Sequence, residues 1–277
     1  MIEIGKWQTL QVRREKDFGI YLGDDEDSDE AVLLPKKQVP EGTKTGDCLR
    51  VFIYRDSEDR LIATTNTPLI TLEEIAVLKV ISVGSIGAFM DWGLEKDILL
   101  PFKEQTGKVE EGNEYLVRMY VDKSSRLCVS MRLYDDLSCE SPYKKDDEIT
   151  GIVYQLSEQL GALVAVDSQY SALIPKQEIK EKISLGQRIQ GRVSEVRPDG
   201  KLNISMRRLA HLQIEEDSEK ILEVIASYDG VLPFTDKVGA DVIERELALS
   251  KNAFKRAVGK LLKEKKIQIT ENSIIRL

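Results

Sequence analysis

The sequence predicts a mostly β chain of three small tandem barrels, followed by a small α+β domain. Three observations lead to this expectation: a threefold repeat of Gly and Pro positions, short strand-like segments inside each repeat, and a change to helical periodicity after Asp217. The length of 277 residues alone suggests about two domains. The repeats divide the chain further.

Three anchor positions recur in the same order in each repeat. They are a Gly that opens an apolar strand, a Pro that ends a short apolar run, and a second Gly before another strand. The anchors are Gly19, Pro35 and Gly46, then Gly87, Pro101 and Gly112, then Gly161, Pro175 and Gly186. The Pro lies 11 residues before the second Gly in every repeat, and 16, 14 and 14 residues after the first. Chance does not keep three anchors in register in this way.

Each repeat contains five short segments rich in apolar and β-branched residues, separated by Gly, Asp, Ser and Pro. In the second repeat these segments are 77–81, 88–91, 97–100, 115–121 and 127–131. A unit of this size leaves long open edges unless its sheet closes on itself. We therefore expect five-stranded OB-fold barrels at residues 1–66, 72–134 and 146–208.

The C-terminal region changes to helical periodicity. Linkers are expected at 66–74, 134–148 and 209–217. Ser218 and Ser250 are the expected N-caps of two helices. A further helix at about 240–249 and an alternating tail at 267–275 complete the order of a winged helix. We expect this domain at residues 215–277.

Composition excludes several classes of protein. The charged N-terminus lacks a signal peptide's apolar stretch, and no apolar run is long enough to span a membrane. The three cysteines do not form a metal or disulfide pattern. We expect a cytoplasmic protein that makes no membrane contact.

The sequence offers little for catalysis. His211 is the single histidine and falls in an expected linker, so no histidine-based triad or two-histidine metal site can form. No phosphate loop or dinucleotide glycine motif occurs. The acidic run 24–30 lacks the glycine and the glutamate of a calcium loop and is expected to be a solvated loop. We expect no enzyme activity, no metal and no cofactor.

Basic residues concentrate in the C-terminal half, although the net charge is −8. The windows 176–208 and 245–266 are both rich in Lys and Arg, and such windows attract an anionic polymer. The candidate phosphate contacts in these windows are Arg188, Arg192, Lys201, Arg207, Arg208, Lys255, Arg256 and Lys260. The alternative for such a charge run is a solvated face.

The repeat resembles the S-one-type RNA-binding domain, an OB-fold repeat named after the largest protein of the small ribosomal subunit. The resemblance covers residues 1–208 and lies in the Gly–aromatic strand, the apolar third strand and the closing strand with Ser. Three such repeats followed by a winged helix resemble the bacterial conserved virulence factor B family.

The resemblance implies a nucleic-acid face in each repeat. The first repeat supplies Phe18, Tyr21, Asp56 and Arg60; the second supplies Phe89, Asp122 and Arg126, with Ile86 in place of the first aromatic residue. The third repeat has Leu160 and Leu163 at both aromatic positions and Arg197 in place of the acid, and keeps Lys201. Pro stands in all three repeats where the family has His.

Two functions follow from these observations. The first is a non-catalytic RNA-binding protein, for single-stranded or structured RNA, that regulates gene expression after transcription, including, by family resemblance, that of virulence factors. The alternative is a DNA-binding regulator that uses the winged helix, with the barrels as protein-interaction units. The third barrel and the winged helix are expected to carry most of the affinity, because the first repeat contains the acidic run. The oligomeric state stays open.

Overall fold

The structure is a computed structural model that describes residues 1–24, 30–206 and 210–277, with backbone alone for 210–213. The chain divides into two compact units, one ending at Met206 and one formed by the rest of the chain. Within the described residues, no helix has the length and apolar composition needed to cross a membrane.

The first unit contains three barrels of five strands each, as the sequence predicts. The strands of the first barrel are β1 (Trp7–Lys16), β2 (Gly19–Gly23), β3 (Val32–Pro35), β4 (Cys48–Arg55) and β5 (Leu61–Thr64). Those of the second are β6 (Ile75–Val83), β7 (Gly87–Asp91), β8 (Ile98–Pro101), β9 (Glu114–Val121) and β10 (Leu127–Ser130). Those of the third are β11 (Glu148–Ser157), β12 (Gly161–Val166), β13 (Tyr170–Pro175), β14 (Arg188–Val196) and β15 (Leu202–Ser205).

The barrels share one topology. The first strand pairs with the second and fourth, the third strand runs parallel to the fifth, and the ladder closes without a free edge. The first strand of each barrel carries a bulge at the same place, after Val12, Val80 and Val153. Bulges of this kind increase the twist that a small closed sheet needs.

The Gly–Pro anchors have a steric cause. Gly19, Gly87 and Gly161 lie directly opposite Pro35, Pro101 and Pro175 in neighbouring strands. All three have positive φ values, and a Cβ atom on any of them would lie 2.1–2.2 Å from a carbonyl oxygen of the third strand. Only glycine allows the two backbones to approach so closely.

The first two barrels pack against each other through aromatic side chains. Phe52 and Tyr54, on the outer face of β4, meet Trp92 of the second barrel with ring centroids 6.0 and 5.9 Å apart. All three side chains are buried and belong to the core cluster of the second barrel. Their edge-to-face geometry is favourable for aromatic pairs. The junction is therefore continuous with the apolar core of the second barrel.

The second and third barrels share another apolar cluster. Leu116 of β9 packs with Ile152, Tyr154 and Leu163 of the third barrel, and Leu133 and Leu137 from the connection between the barrels fill the space between them. The expected linker at 134–148 is thus largely packed on the third barrel.

The second unit has the element order of a winged helix. It contains α1 (Ala210–Ser227), β16 (Val231–Leu232), α2 (Ala240–Leu247), α3 (Lys251–Lys263), β17 (Ile267–Ile269) and β18 (Ile274–Arg276). The three strands form one sheet in the order β16-β18-β17. Ser250 caps α3 as expected, because its hydroxyl accepts a hydrogen bond from the Ala253 N–H at 3.2 Å.

Two expectations in this unit are wrong. The region 210–217, expected as linker, is the first half of α1, which includes the backbone of His211. Ser218 lies inside that helix instead of capping it, and its hydroxyl donates to the Ile214 carbonyl at 2.5 Å. Serine satisfies its hydroxyl in this way within helices, which makes it a poor guide to a helix start when read from sequence alone.

Candidate nucleic-acid interface

The first barrel places Phe18 beside Tyr21 and Arg60 near Tyr21. Phe18 is 57% exposed and precedes β2, and its ring meets the half-buried Tyr21 edge-to-face with centroids 6.2 Å apart. The Arg14 guanidinium lies over the Tyr21 ring, 4.4 Å from its centroid. Arg14 was not predicted as a site residue; it faces Tyr21 because the bulge in β1 places the two residues opposite each other.

Arg60 is held beside this group by Asp56. The carboxylate of Asp56 accepts hydrogen bonds from Arg60 Nε at 2.9 Å and Nη2 at 2.7 Å. Partial burial pushes the pKa of Asp56 upward, but hydrogen bonds from Arg60 and the Glu58 N–H outweigh it and leave the pKa lowered. Asp56 therefore stays ionised and fixes the guanidinium at the edge of the aromatic group.

Three lysines that the sequence analysis did not select lie close to Phe18 along the backbone. Lys16 lies opposite Gly19 in the β1–β2 ladder, and the Lys36 N–H donates to the Phe18 carbonyl at 3.0 Å. Lys37 follows in the same 3-10 turn. All three are exposed and make no ion pair with the described residues. The sequence could have indicated Lys36 and Lys37, because the Pro of each repeat directly precedes this turn.

Asp24, the first residue of the acidic run, lies far from Phe18 along the first barrel. Asp24 follows the end of β2, whereas Phe18 precedes its start. Six steps of about 3.3 Å along an extended strand place the two residues roughly 20 Å apart. This exceeds a Debye length of about 8 Å at physiological salt. Residues 25–29 of the run lie outside the described part of the chain.

The second barrel presents a reduced version of the same group. Phe89 is half-buried on β7, and Ile86, at the first aromatic position, is 58% exposed. Arg126 pairs with Asp59 of the first barrel at 3.0 Å, while Asp122 accepts the backbone N–H of Arg126. The turns that carry Arg60 and Arg126 are therefore in direct contact.

The corresponding face of the third barrel is covered in part. Leu163, at the second aromatic position, is 7% exposed and packs in the cluster shared with the second barrel. Lys201 Nζ lies 3.8 Å from the ring centroid of Tyr134, which comes from the connection between the barrels. Leu163 thus departs from the family pattern for a structural reason, because it packs in the contact between barrels, whereas Leu160 is 56% exposed.

The other basic candidates of the third barrel lie on the outer face of β14. Arg188 is exposed, 3.4 Å from Glu114 of the second barrel, and borders a cleft of about 560 Å³ that Thr150, Ile152 and Gln190 also line. Arg192 is more buried and pairs with Asp146 at 2.7 Å. The remaining two candidates, Arg207 and Arg208, lie outside the described residues.

The three basic candidates of the winged helix differ in whether they form ion pairs. Lys260 is held by Glu215 at 3.2 Å and Glu264 at 3.7 Å, and Lys255 lies 3.8 Å from Asp236. Arg256 is exposed on the outer face of α3 and makes no ion pair with the described residues. Arg256 is therefore the most available of the three.

No cluster of three or more metal-ligating side chains occurs among the described residues. The barrels instead present aromatic rings beside paired cations and exposed lysines. Such surfaces take up single-stranded nucleic acids, because bases stack on the rings while Lys and Arg contact the phosphates.

Comparisons with known proteins agree with this architecture. The S1 domain family matches residues 4–66 and 74–132. The second domain of the virulence regulatory factor CvfB matches residues 138–208, and the CvfB-like winged helix domain matches residues 219–276. These matches indicate a nucleic-acid-binding chain. A crystal structure of a multidomain protein with nucleic acid binding domains from Streptococcus pneumoniae shares the fold, with a TM-score of 0.56 at 23% identity over 99% of this chain and 98% of that one.

Two curated relatives align over most of their lengths. The uncharacterized protein YitL of Bacillus subtilis is 33% identical over 276 residues, which covers 95% of this chain and 90% of the relative. Conserved virulence factor B of Staphylococcus epidermidis is 30% identical over 261 residues, which covers 89% of this chain and 86% of the relative. With three barrels, a winged helix and these relatives, the chain belongs to the conserved virulence factor B family.

Proposed function

We propose that this protein binds RNA without cleaving it and regulates gene expression after transcription in the cytoplasm, including that of virulence factors. The RNA lies as a single strand over the adjoining faces of the first and second barrels. The winged helix adds phosphate contacts through Arg256 and Lys255. Linked modules of this kind gain affinity by avidity.

The observation that supports this proposal most is the group around Phe18. An exposed phenylalanine, a tyrosine with an arginine stacked on it, and three lysines free of described ion pairs lie within one end of one barrel. An exposed ring flanked by cations has no evident role in stabilising the fold. It fits the stacking of about 1–3 kcal/mol per base that aromatic platforms provide.

The third barrel contributes less in this proposal than the sequence predicts. Its Lys201 faces Tyr134, and its Arg192 is paired with Asp146. Both side chains are therefore already engaged by a partner within the protein. Arg188 keeps a weaker contact and stays available at the cleft.

A competition assay tests the proposal. Labelled single-stranded RNA is bound at one salt concentration and displaced with unlabelled RNA, single-stranded DNA or duplex DNA of the same sequence. RNA is expected to compete best, and Tyr21→Ala is expected to weaken binding about 5- to 160-fold. Ser57→Ala, in the exposed turn before Arg60, is the matched control and is expected to change nothing.

The outcomes separate the two functions. Preference for duplex DNA, with binding lost in Arg256→Ala and unchanged in Tyr21→Ala, would establish the winged helix as the DNA-binding element. The RNA recovered from the same reactions is expected to be intact in the presence of Mg²⁺. Cleavage abolished by a single carboxylate substitution would show that the protein is a nuclease.

A further inference from the structure

The residue before the first Gly anchor has the same neighbour in all three barrels. Its carbonyl accepts a hydrogen bond from the first residue of the 3-10 turn that follows the anchor Pro. In the first barrel the Lys36 N–H donates to Phe18 at 3.0 Å, and in the second the Phe102 N–H donates to Ile86 at 3.3 Å. The third barrel repeats the contact, from Lys176 to Leu160 at 2.9 Å. These two positions are therefore spatial neighbours in each barrel.

In the first two barrels, one of these two positions holds a phenylalanine. The first barrel has Phe18 before the Gly and Lys36 in the turn; the second has Ile86 before the Gly and Phe102 in the turn. Phe102 is 52% exposed, close to the 57% of Phe18, and belongs to no core cluster. The second repeat lacks an aromatic residue at Ile86, but Phe102, which donates its backbone N–H to the Ile86 carbonyl, supplies one at the neighbouring position.

Cations flank Phe102 as they flank Phe18. Lys103 follows it and is exposed, and the exposed Arg132 is tethered there because its Nε donates to the Lys103 carbonyl at 2.9 Å. A ring with a lysine on one side and an arginine fixed nearby can stack a base while the cations contact the adjoining phosphates.

We propose that Phe102 is a base-stacking residue of the second barrel and takes the role that Phe18 has in the first. This inference rests on the proposed function and extends it to a residue outside the pattern of the repeats. Together with Phe89 it gives the second barrel two aromatic contacts, the same number as the first.

Two variants of the full-length protein test this role. Phe102→Trp places an exposed indole at the position, while the native Trp92 is buried and Trp7 is half-buried. Titration with a short oligouridylate is expected to quench the new fluorescence along the same binding curve that labelled RNA gives. Phe102→Ala is expected to weaken binding about 5- to 160-fold. Leu69→Ala is the control, because Leu69 is 59% exposed in the connection between the first two barrels.

The possible results are distinct. Quenching of Phe102→Trp together with weaker binding by Phe102→Ala and unchanged binding by Leu69→Ala supports the role of Phe102. Wild-type affinity in Phe102→Ala, with no quenching in Phe102→Trp, overturns it while leaving the proposed function intact. If the wild-type protein binds neither oligouridylate nor other RNA, the proposed function fails, and the role of Phe102 fails with it.

Discussion

Removal of the lysines around Phe18 gives the sharpest test of where RNA binds. The triple variant Lys16→Ala, Lys36→Ala and Lys37→Ala removes three exposed cations that make no ion pair with the described residues. Each phosphate contact in a single strand contributes about −0.7 to the slope of log affinity against log salt, so three contacts contribute about −2. At about 0.15 M salt this slope corresponds to a loss of about 50-fold in affinity.

A matched variant in the third barrel separates local contact from total charge. Lys176→Ala, Lys180→Ala and Lys182→Ala change the net charge equally and lie in and after the equivalent 3-10 turn. Fluorescence anisotropy with labelled oligouridylate, repeated over a salt series, measures both slopes. In the first-barrel variant, the slope of log affinity against log salt is expected to become shallower by about 2. In the third-barrel variant, the slope is expected to stay almost unchanged. A larger change of slope in the third-barrel variant would refute the placement of RNA on the first two barrels. It would instead support the expectation that the C-terminal half provides most of the affinity.

Three further outcomes follow from the structure. Gly87→Ala is expected to lower the free energy of unfolding in urea by about 2–4 kcal/mol, because its Cβ would lie 2.2 Å from the Leu100 carbonyl oxygen; an unchanged midpoint would contradict the steric reason for the anchor. Asp56→Asn is expected to cost about 1 kcal/mol at pH 7, because the hydrogen bonds of Arg60 to an ionised carboxylate are lost. Because the pKa of Asp56 is lowered from its ordinary value of 3.8, the ionised carboxylate stabilises the fold above pH 3.8. The difference in unfolding free energy between wild type and Asp56→Asn should therefore shrink as the pH falls below 3.8. A difference that stays constant with pH would argue against this role of Asp56. Burial raises the pKa of the Cys128 thiol to about 11, so Ellman's reagent at pH 8 is expected to modify it only after unfolding; rapid modification of the native protein would show an open barrel.

The fold was predictable because its constraints are local. The Gly–Pro anchors mark a close approach of two strands, and that contact repeats at a fixed separation along the chain. Alternating apolar residues then assign the inner face of each strand. The start of α1 was missed because Ser218 is a good N-cap by type, and only the packing of the helix shows that its hydroxyl donates within the helix.

The candidate site was predictable only in part because it depends on contacts between barrels. The resemblance grouped Phe18, Tyr21 and Arg60 on one face, and the rings of Phe18 and Tyr21 are in contact, but charge counting favoured the third barrel. Periodicity cannot show that the Lys201 ammonium lies over the Tyr134 ring. That contact arises from the packing of a segment that the sequence predicts to be a linker. Phe102 was missed because it stands outside the repeat pattern.

The aromatic junction of Phe52, Tyr54 and Trp92 has a consequence for the length of RNA that the proposed function requires. It joins the first two barrels through a buried core, so their distance does not fluctuate as it would on a flexible linker. An RNA strand that is bound to one barrel meets the other barrel at a high effective concentration. Binding to the second barrel then costs no conformational entropy for ordering the two barrels relative to each other. Affinity should therefore rise abruptly at the oligonucleotide length that first reaches both barrels, and change little above or below it.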